Sequence, residues 1–372
     1  MIYLDHAATT PVPAAVADVM YDVLRHQFGN PSAQYPYGRE SAALVDRCRA
    51  AVAQGLGCRP EQLFFTSCGT ESDNWAISAA VWQGRHVGRH IITTALEHSA
   101  ILEPCKWLAQ QGYEITYLKP DRTGHATAQQ VADALREDTV LVNNETGCVF
   151  PVGEVAQLLK ARGSRALLHC DAVQGFLKIP CDPVRWGVDL MSLSAHKIGG
   201  PKGIGALYVA PRLKNLRPLL PGGGQERGLR SGTEATAQIA GFAKAVELYC
   251  DGLDEKRRHL AAVRDYCRER LLSIPTVAEI GRGDAPHILS VSLPGYPSAN
   301  IVADLGAQGI CISAGSACHK GKASHVVSAL GLDKKTAAGV IRVSFGPETT
   351  FEEIDALHDA LLAHKNSRFP ML

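Results

Sequence analysis

The chain has 372 residues, 46% of them hydrophobic and 20% charged, enough to bury a large core and to divide into one large and one smaller unit. Its net charge of +1 gives no reason to expect nucleic acid or an anionic membrane surface as a partner. No apolar run approaches a membrane span, and the opening Met1-Ile2-Tyr3-Leu4-Asp5-His6 has no signal-peptide core, so the expected location is the cytoplasm.

Apolar residues at Val16, Val19, Met20, Val23 and Leu24 form a helical stripe that Phe28-Gly29-Asn30-Pro31 stops. A second helix is expected over 40–56. Strands and helices then alternate. Strands are expected over 63–66, 90–94, 114–118, 139–142, 166–169, 190–193 and 206–209, with helices over 71–82, 99–111, 128–136 and 154–162. Repeated βα units predict an α/β fold, a mainly parallel sheet with helices on both faces. Two long helical patterns, 233–250 and 254–272, lead into strands over 288–293, 310–313 and 340–345 and a last helix over 351–364. This tail reads as a smaller α+β unit. The expected division is a large domain over 15–252, and a small domain made of 1–14 with 253–372.

Eleven cysteines stand at 48, 58, 68, 105, 148, 170, 181, 250, 267, 311 and 318, with no C-x-x-C pair among them. Metal knuckles and redox motifs need close pairs, so most of these read as small buried hydrophobes and no resident metal is expected.

In an open α/β sheet, ligands bind at the carboxyl ends of the strands. The polar residues that follow each strand are therefore the candidates. Ser67-Cys68-Gly69-Thr70-Glu71 is a small-residue turn opening a helix, and its free N–H groups suit a phosphate. His98 can stack on a planar ring. Asn143-Asn144-Glu145-Thr146-Gly147 offers donors suited to a phenolic or carboxylate oxygen, and Asp171, with Gln174 three residues on, can hold a pyridinium nitrogen protonated. Leu190 to Leu193 then runs into Ser194, His196 and Lys197 just before Gly199-Gly200-Pro201. Taken singly, each has a plainer explanation as a cap, a turn or a solvated side chain. Together they offer a phosphate cradle, a ring stacker, a nitrogen partner and an imine-forming lysine, which matches pyridoxal phosphate. A dinucleotide is not matched, since no G-x-G-x-x-G follows the first strand.

These residues resemble the cysteine desulfurases of the NifS/IscS kind, class V members of the fold type I pyridoxal-phosphate enzymes. The resemblance runs along nearly the whole chain. It is carried by Tyr3-Leu4-Asp5 with Ala8-Thr9-Thr10-Pro11, Phe28-Gly29-Asn30-Pro31-Ser32, Phe65 to Ser72 and Asp171-Ala172-Val173-Gln174. It continues in Ser194 to Ile198 with Gly200-Pro201-Lys202-Gly203, and in Gly222 to Arg227 with Arg230-Ser231-Gly232-Thr233-Glu234. The resemblance implies an imine on Lys197 and a cofactor phosphate bound by Gly69, Thr70, Ser194 and His196, with Thr233 supplied by the other subunit of a homodimer. It also implies Asp171 on the pyridine nitrogen, Gln174 on the phenolic oxygen and His98 over the ring. Asn144 and Arg342 would hold the carboxylate of the substrate, L-cysteine.

One cysteine differs in setting from the others. Ser313-Ala314-Gly315-Ser316-Ala317-Cys318-His319-Lys320-Gly321 is small and polar, and its basic neighbours raise the thiolate fraction. In the resembled family this cysteine takes the sulfur as a persulfide, L-alanine leaves, and the sulfur passes to an acceptor such as an iron–sulfur scaffold protein. Cys318 is also a candidate iron–sulfur ligand through that persulfide. A buried structural role, or a metal site with His319 and His325, is the competing reading of Cys318.

The sequence departs from the family pattern twice. The strand before Asn143 is short, and the run from Cys318 to His325 is about two residues shorter and more basic, costing roughly 7 Å of extended reach. Competing functions are a selenocysteine lyase or another class V pyridoxal-phosphate lyase or aminotransferase, or, from another class, a non-catalytic sulfur or iron–sulfur scaffold.

Overall fold

The computed structural model describes residues 1–144, 150–314 and 329–371, with only the backbone at 143 and 144. Strand β1 (Ile2–Tyr3) is followed by helices α1 (Ala14–His26) and α2 (Pro36–Leu56). Pro36 sits in the first turn of α2, where a missing N–H costs nothing, and Gly57 ends the helix with a left-handed φ of 78°.

The central sheet holds β2 (Leu63–Thr66), β3 (His90–Thr94), β4 (Glu114–Leu118), β5 (Thr139–Asn144), β6 (Leu167–Asp171), β7 (Leu190–Ser194) and β8 (Gly205–Val209). Helices α3 (Gly69–Gly84), α4 (Ser99–Gln110), α5 (Ala128–Ala134), α6 (Val152–Ala161) and α7 (Pro183–Trp186) connect them. The spatial order is β2-β8-β7-β6-β5-β3-β4. Only β8 runs antiparallel to its neighbours, so the other six strands share one direction.

Strand alternation divides the core in two. Phe64, Ile91, Leu141 and Leu167 join a cluster with Trp75 and Ile77 of α3 and Ile101 of α4. Their neighbours Phe65, Ile92, Val142 and Leu168 join the opposite cluster, with Val16, Val52 and Phe242. A sheet covered on both faces needs apolar residues at successive positions, which is why these strands read as continuous apolar runs.

Helices α8 (Thr236–Cys250) and α9 (Leu253–Leu272) lead to β9 (Ala278–Glu279), β10 (Ile288–Ser292), α10 (Ser298–Ala307), β11 (Ile310–Cys311) and β12 (Ser313–Ala314). After them come α11 (Lys334–Ala338), β13 (Val340–Ser344) and α12 (Phe351–Ser367). Thr350 and Glu353 close a reciprocal capping box at the start of α12. The strands form an antiparallel sheet in the order β12-β13-β10-β9. Its apolar cluster includes Leu260, Val291, Ile341 and Leu357, and also Leu4 from the far end of the chain. Strand β1 pairs with β11, Ile2 opposite Ile310, and Asp5 bridges to Ser344.

Two readings of the sequence change. The segment 310–313 is not one strand: β11 pairs with β1 and β12 with β13, so Ile312 marks a switch between sheets. The strand expected over 139–142 is longer, because β5 includes Asn143 and Asn144 in register with His169 and Cys170 of β6. Close packing accommodates the compact turns around it. A Cβ on Gly88 would lie 2.3 Å from Asp138, and one on Gly84 would lie 2.6 Å from Val140.

Candidate active site

The six codirectional strands end on one side of the sheet, and the candidate residues gather there. β2 ends at Thr66 and turns through Ser67 and Cys68 into α3. Cys68 is the N-cap but offers no side-chain bond, so the first turn of this 16-residue helix keeps N–H groups for an anion. Gly69 is needed for fit: a Cβ there would lie 2.7 Å from Val173 Cγ2. That approach presses the start of α3 onto the ends of β6 and β7. Burial alone would raise the Glu71 pKa, but hydrogen bonds from Arg230 and Ser67 outweigh it and hold the carboxylate low. Thr70 and His98 line one cleft of about 500 Å³, together with Asn74, Ser99 and Trp107. His98 also caps α4, its Nδ1 accepting from Ala100 N at 3.1 Å.

Asp171, the last residue of β6, is buried, and its Oδ1 accepts from Val173 N at 2.9 Å. Ser194 ends β7, and Lys197 follows in a single 3-10 turn. Lys197 Nζ donates to Ala7 O at 2.7 Å and to Ala8 O at 2.9 Å. Gln174 Nε2 donates to the same Ala7 carbonyl at 2.8 Å. The segment 7–10 thus wraps the lysine turn. Thr10 Oγ1 donates to His196 O at 2.9 Å and accepts from Gly199 N at 2.7 Å, while His196 Nδ1 meets Thr9 Oγ1 at 3.2 Å. Burial, then the charges of Lys197, Lys202 and Lys178, lower the His196 pKa to about 4, so its ring is neutral near pH 7.

Arg342 on β13 approaches from the other sheet. Its Nη2 donates to Asp5 Oδ1 at 3.2 Å and to Ser313 Oγ at 3.3 Å, and Ser313 Oγ donates to Asp5 Oδ1 at 2.7 Å. Its Nε is buried with no hydrogen-bond partner among the described residues, a donor suited to a carboxylate.

The structure therefore brings together Gly69, Asp171, Gln174, Ser194, His196 and Lys197, with Thr70 and His98 on the adjoining cleft. Asn144 ends β5 in the same row of strand ends, its side chain outside the described atoms. Thr233 is exposed in the stretch before α8. Cys318, with His319 and His325, lies outside the described residues.

Sequence reasoning gave no individual role to several residues that shape the site. Asp5 orients Arg342. Lys178 is buried with its Nζ unpartnered among the described residues, and burial, then Lys197 and Arg342, lower its pKa to about 7. His287 reaches Gln174 Oε1 at 3.4 Å. His6 is pushed to about 4 by burial and then by Lys178. Lys178 stands in the turn that begins at Asp171, and that proximity was the available signal. Several of the cysteines away from the 313–321 run behave as core atoms. Burial raises Cys58, Cys105 and Cys181 to about 12, and Cys170 and Cys267 are raised as well.

A seven-stranded sheet of this order, with a lysine just past one strand and an aspartate ending the next, defines the fold type I class of pyridoxal-phosphate enzymes. Within that class the chain belongs to the family described as Aminotransferase class-V, whose profile matches residues 2–357. It is 40% identical to a Bacillus subtilis protein named putative cysteine desulfurase IscS 1, over 95% of both chains. It is 38% identical to the cysteine desulfurase IscS of Methanosarcina thermophila, over 95% of this chain and 89% of that one. A solved NifS-like protein superposes with a TM-score of 0.92 at 35% identity, covering 99% of this chain and 100% of the other. A structure titled SspA in complex with cysteine gives a TM-score of 0.81 at 32% identity, covering 94% of this chain and 100% of the other.

Proposed function

We propose that the chain is a cysteine desulfurase that uses pyridoxal 5'-phosphate to convert L-cysteine to L-alanine, leaving the sulfur as a persulfide on Cys318. The observation that carries this reading is the convergence of Lys197, Asp171 and Gln174 beside the uncapped start of α3. The donor set fits the cofactor. Gly69, Thr70, Ser194 and His196 would hold its phosphate, Asp171 its ring nitrogen, Gln174 its phenolic oxygen and Lys197 its aldehyde carbon, with His98 over the ring. When bound, the cofactor supplies an electron sink for the substrate's α-carbon.

The chain's own residues do the rest. The Ala7 and Ala8 carbonyls orient Lys197 Nζ, which takes and returns the α-proton. Asp171 keeps a negative charge in a buried position, where it favours a protonated ring nitrogen. Arg342, set by Asp5 and Ser313, would grip the substrate carboxylate with Asn144. The Cys318 thiolate attacks the substrate sulfur. An S–S bond forms as the C–S bond breaks, and a proton completes L-alanine, so no external oxidant is needed. The persulfide then passes to an acceptor protein, an iron–sulfur scaffold or one of similar chemistry.

A second copy of the chain, forming a homodimer, would bring its exposed Thr233 to the phosphate. The large domain is taken as 15–252 and the small one as 1–14 with 253–372. The separate apolar cluster joining Leu4 to residues between Leu260 and Leu361 supports that division.

The test is L-alanine release from L-cysteine by the full-length protein loaded with pyridoxal phosphate. Lys197→Ala is expected to abolish release and Cys318→Ser to abolish persulfide formation. A Lys197→Ala protein that turns over cysteine at the normal rate would sink the reading.

A further inference from the structure

Helix α3 lays Ala76, Ile77, Ala79 and Ala80 on the sheet, an apolar face. In that face stands one acid, Asp73, one turn beyond Gly69 and 1% exposed. What lies opposite follows from strand alternation. Leu167 of β6 and Leu190 of β7 face the α3 side, so His169, Asp171 and Ser192, at alternate positions on the same strands, face it too. The contacts agree. His169 Nε2 lies 2.9 Å from Ser192 Oγ and 3.6 Å from Asp73 Oδ1. Ser192 and the Asp171 carboxyl are the side chains that act most directly on the Asp73 carboxyl, Ser192 lowering its pKa and Asp171 raising it.

Two carboxylates in contact cannot both be ionised without a cation between them. The facing groups offer none. His169 is fully buried, and burial lowers its pKa to about 3, so it is neutral. Glu97, beyond β3, adds a further acid, and Cys170 stays a thiol because burial raises it. Lys197 acts on Asp171. The pair thus holds one proton, and it belongs on Asp73. Asp171 has the Val173 N–H and the nearby lysine to stabilise its charge, whereas Asp73 Oδ1 has no hydrogen-bond partner among the described residues. Burial raises both carboxyls.

We propose that Asp73 is a positioning residue that remains protonated at neutral pH and donates its proton to Asp171, fixing that carboxylate in its ionised form toward the crevice. The helix that cradles the phosphate would then also secure the charge on the ring-nitrogen partner. The reaction leaves this proton in place. The ligand-facing part of the inference rests on the proposed use of pyridoxal phosphate; the protonation of Asp73 does not.

Two variants test it in the full-length protein. Asp73→Asn keeps an N–H donor at nearly the same size, and Asp73→Leu removes the donor. Without added cofactor near pH 7.5, the infrared carbonyl stretch of a protonated carboxyl is expected in the parent and lost in Asp73→Asn. A spectrum unchanged by Asp73→Asn overturns the proposal. With pyridoxal phosphate, the acid limb of cofactor retention is expected to move up by about one pH unit in Asp73→Leu and to return in Asp73→Asn. Equal limbs in both variants would also overturn it. If Asp73→Leu fails to fold, the Asp73→Asn spectrum still decides. A parent protein that binds no pyridoxal phosphate yet shows the carboxyl band refutes the proposed function and upholds Asp73.

Discussion

Glu226 offers the most direct test of how the site is built. It is 3% exposed at the side chain and lies in the Gly222-to-Arg227 segment, far in sequence from the partners it meets. Its carboxylate accepts from Arg49 Nη1 at 2.6 Å, from Arg49 Nη2 at 2.8 Å and from Phe65 N at 2.9 Å. Phe65 N belongs to the edge strand β2, which has β8 on its other side, so this carboxylate closes part of an open edge. Arg227 adds a bond to Leu63 O, and Arg230 continues to Glu71 in the first turn of α3. Glu226→Ala strands a buried guanidinium and one strand N–H. Breaking a buried pair costs about 3–5 kcal/mol, and a stranded N–H about 1–3 kcal/mol. Arg49 keeps Leu63 O at 3.1 Å and the Phe65 ring at 4.8 Å, which offsets part of the loss. The expected net cost is therefore about 4 kcal/mol. Urea unfolding at fixed protein concentration measures it. The pair Arg49→Met with Glu226→Leu should cost less than Glu226→Ala alone, because neither charge is left buried. A Glu226→Ala loss below about 1 kcal/mol, or a double variant whose losses simply add, would refute the argument.

Three further outcomes are expected. Arg342→Lys should raise KM for L-cysteine about tenfold with a smaller effect on kcat, since an ammonium cannot reproduce the fork that Asp5 and Ser313 set. Gly69→Ala should weaken pyridoxal phosphate retention, read by dialysis, because the added methyl meets Val173 Cγ2 at 2.7 Å and pushes α3 off the strand ends. Lys178 titrates near 7 when folded and near 10.5 when unfolded, so the unfolded chain binds more protons between those values and folding loses stability as pH falls through them. Lys178→Met should accordingly gain in melting temperature over the parent as pH drops from 10 to 7, and the gap should stay constant below 7.

The sequence reveals the α/β layering because each strand is buried on both faces and so writes an uninterrupted apolar run. Asp171, Ser194 and Lys197 were legible as a site because they directly follow such runs. Asp73 was not. It sits at a core position of a helix and became significant only when alternation on β6 and β7 turned His169, Asp171 and Ser192 toward it. Asp5 and Ala7 were hidden for another reason. Asp5 was visible as part of a motif, but its bond to Arg342 spans 337 residues, and the Ala7 carbonyl that holds Lys197 is backbone, which carries no residue-type signal. The length of β5 was uncertain because the apolar pattern stops at Val142, while backbone pairing continues through two asparagines.

The grip of segment 7–10 on Lys197 has a consequence for the order in which the chain assembles. Residues 2–3 are held by residues 310–311, and Ala7 N is held by Ser344 Oγ at 2.8 Å. Residues 2–7 thus depend for their places on strands made much later. The sheet, α3 and the lysine turn can form from local βα units while residues 2–10 still wait for β11 and β13. Until those strands arrive, Lys197 lacks the two carbonyls that aim it. Lys197 is therefore fully surrounded only once β11 and β13 have been made, and a nascent chain that stops short of them is left with an unaimed amine.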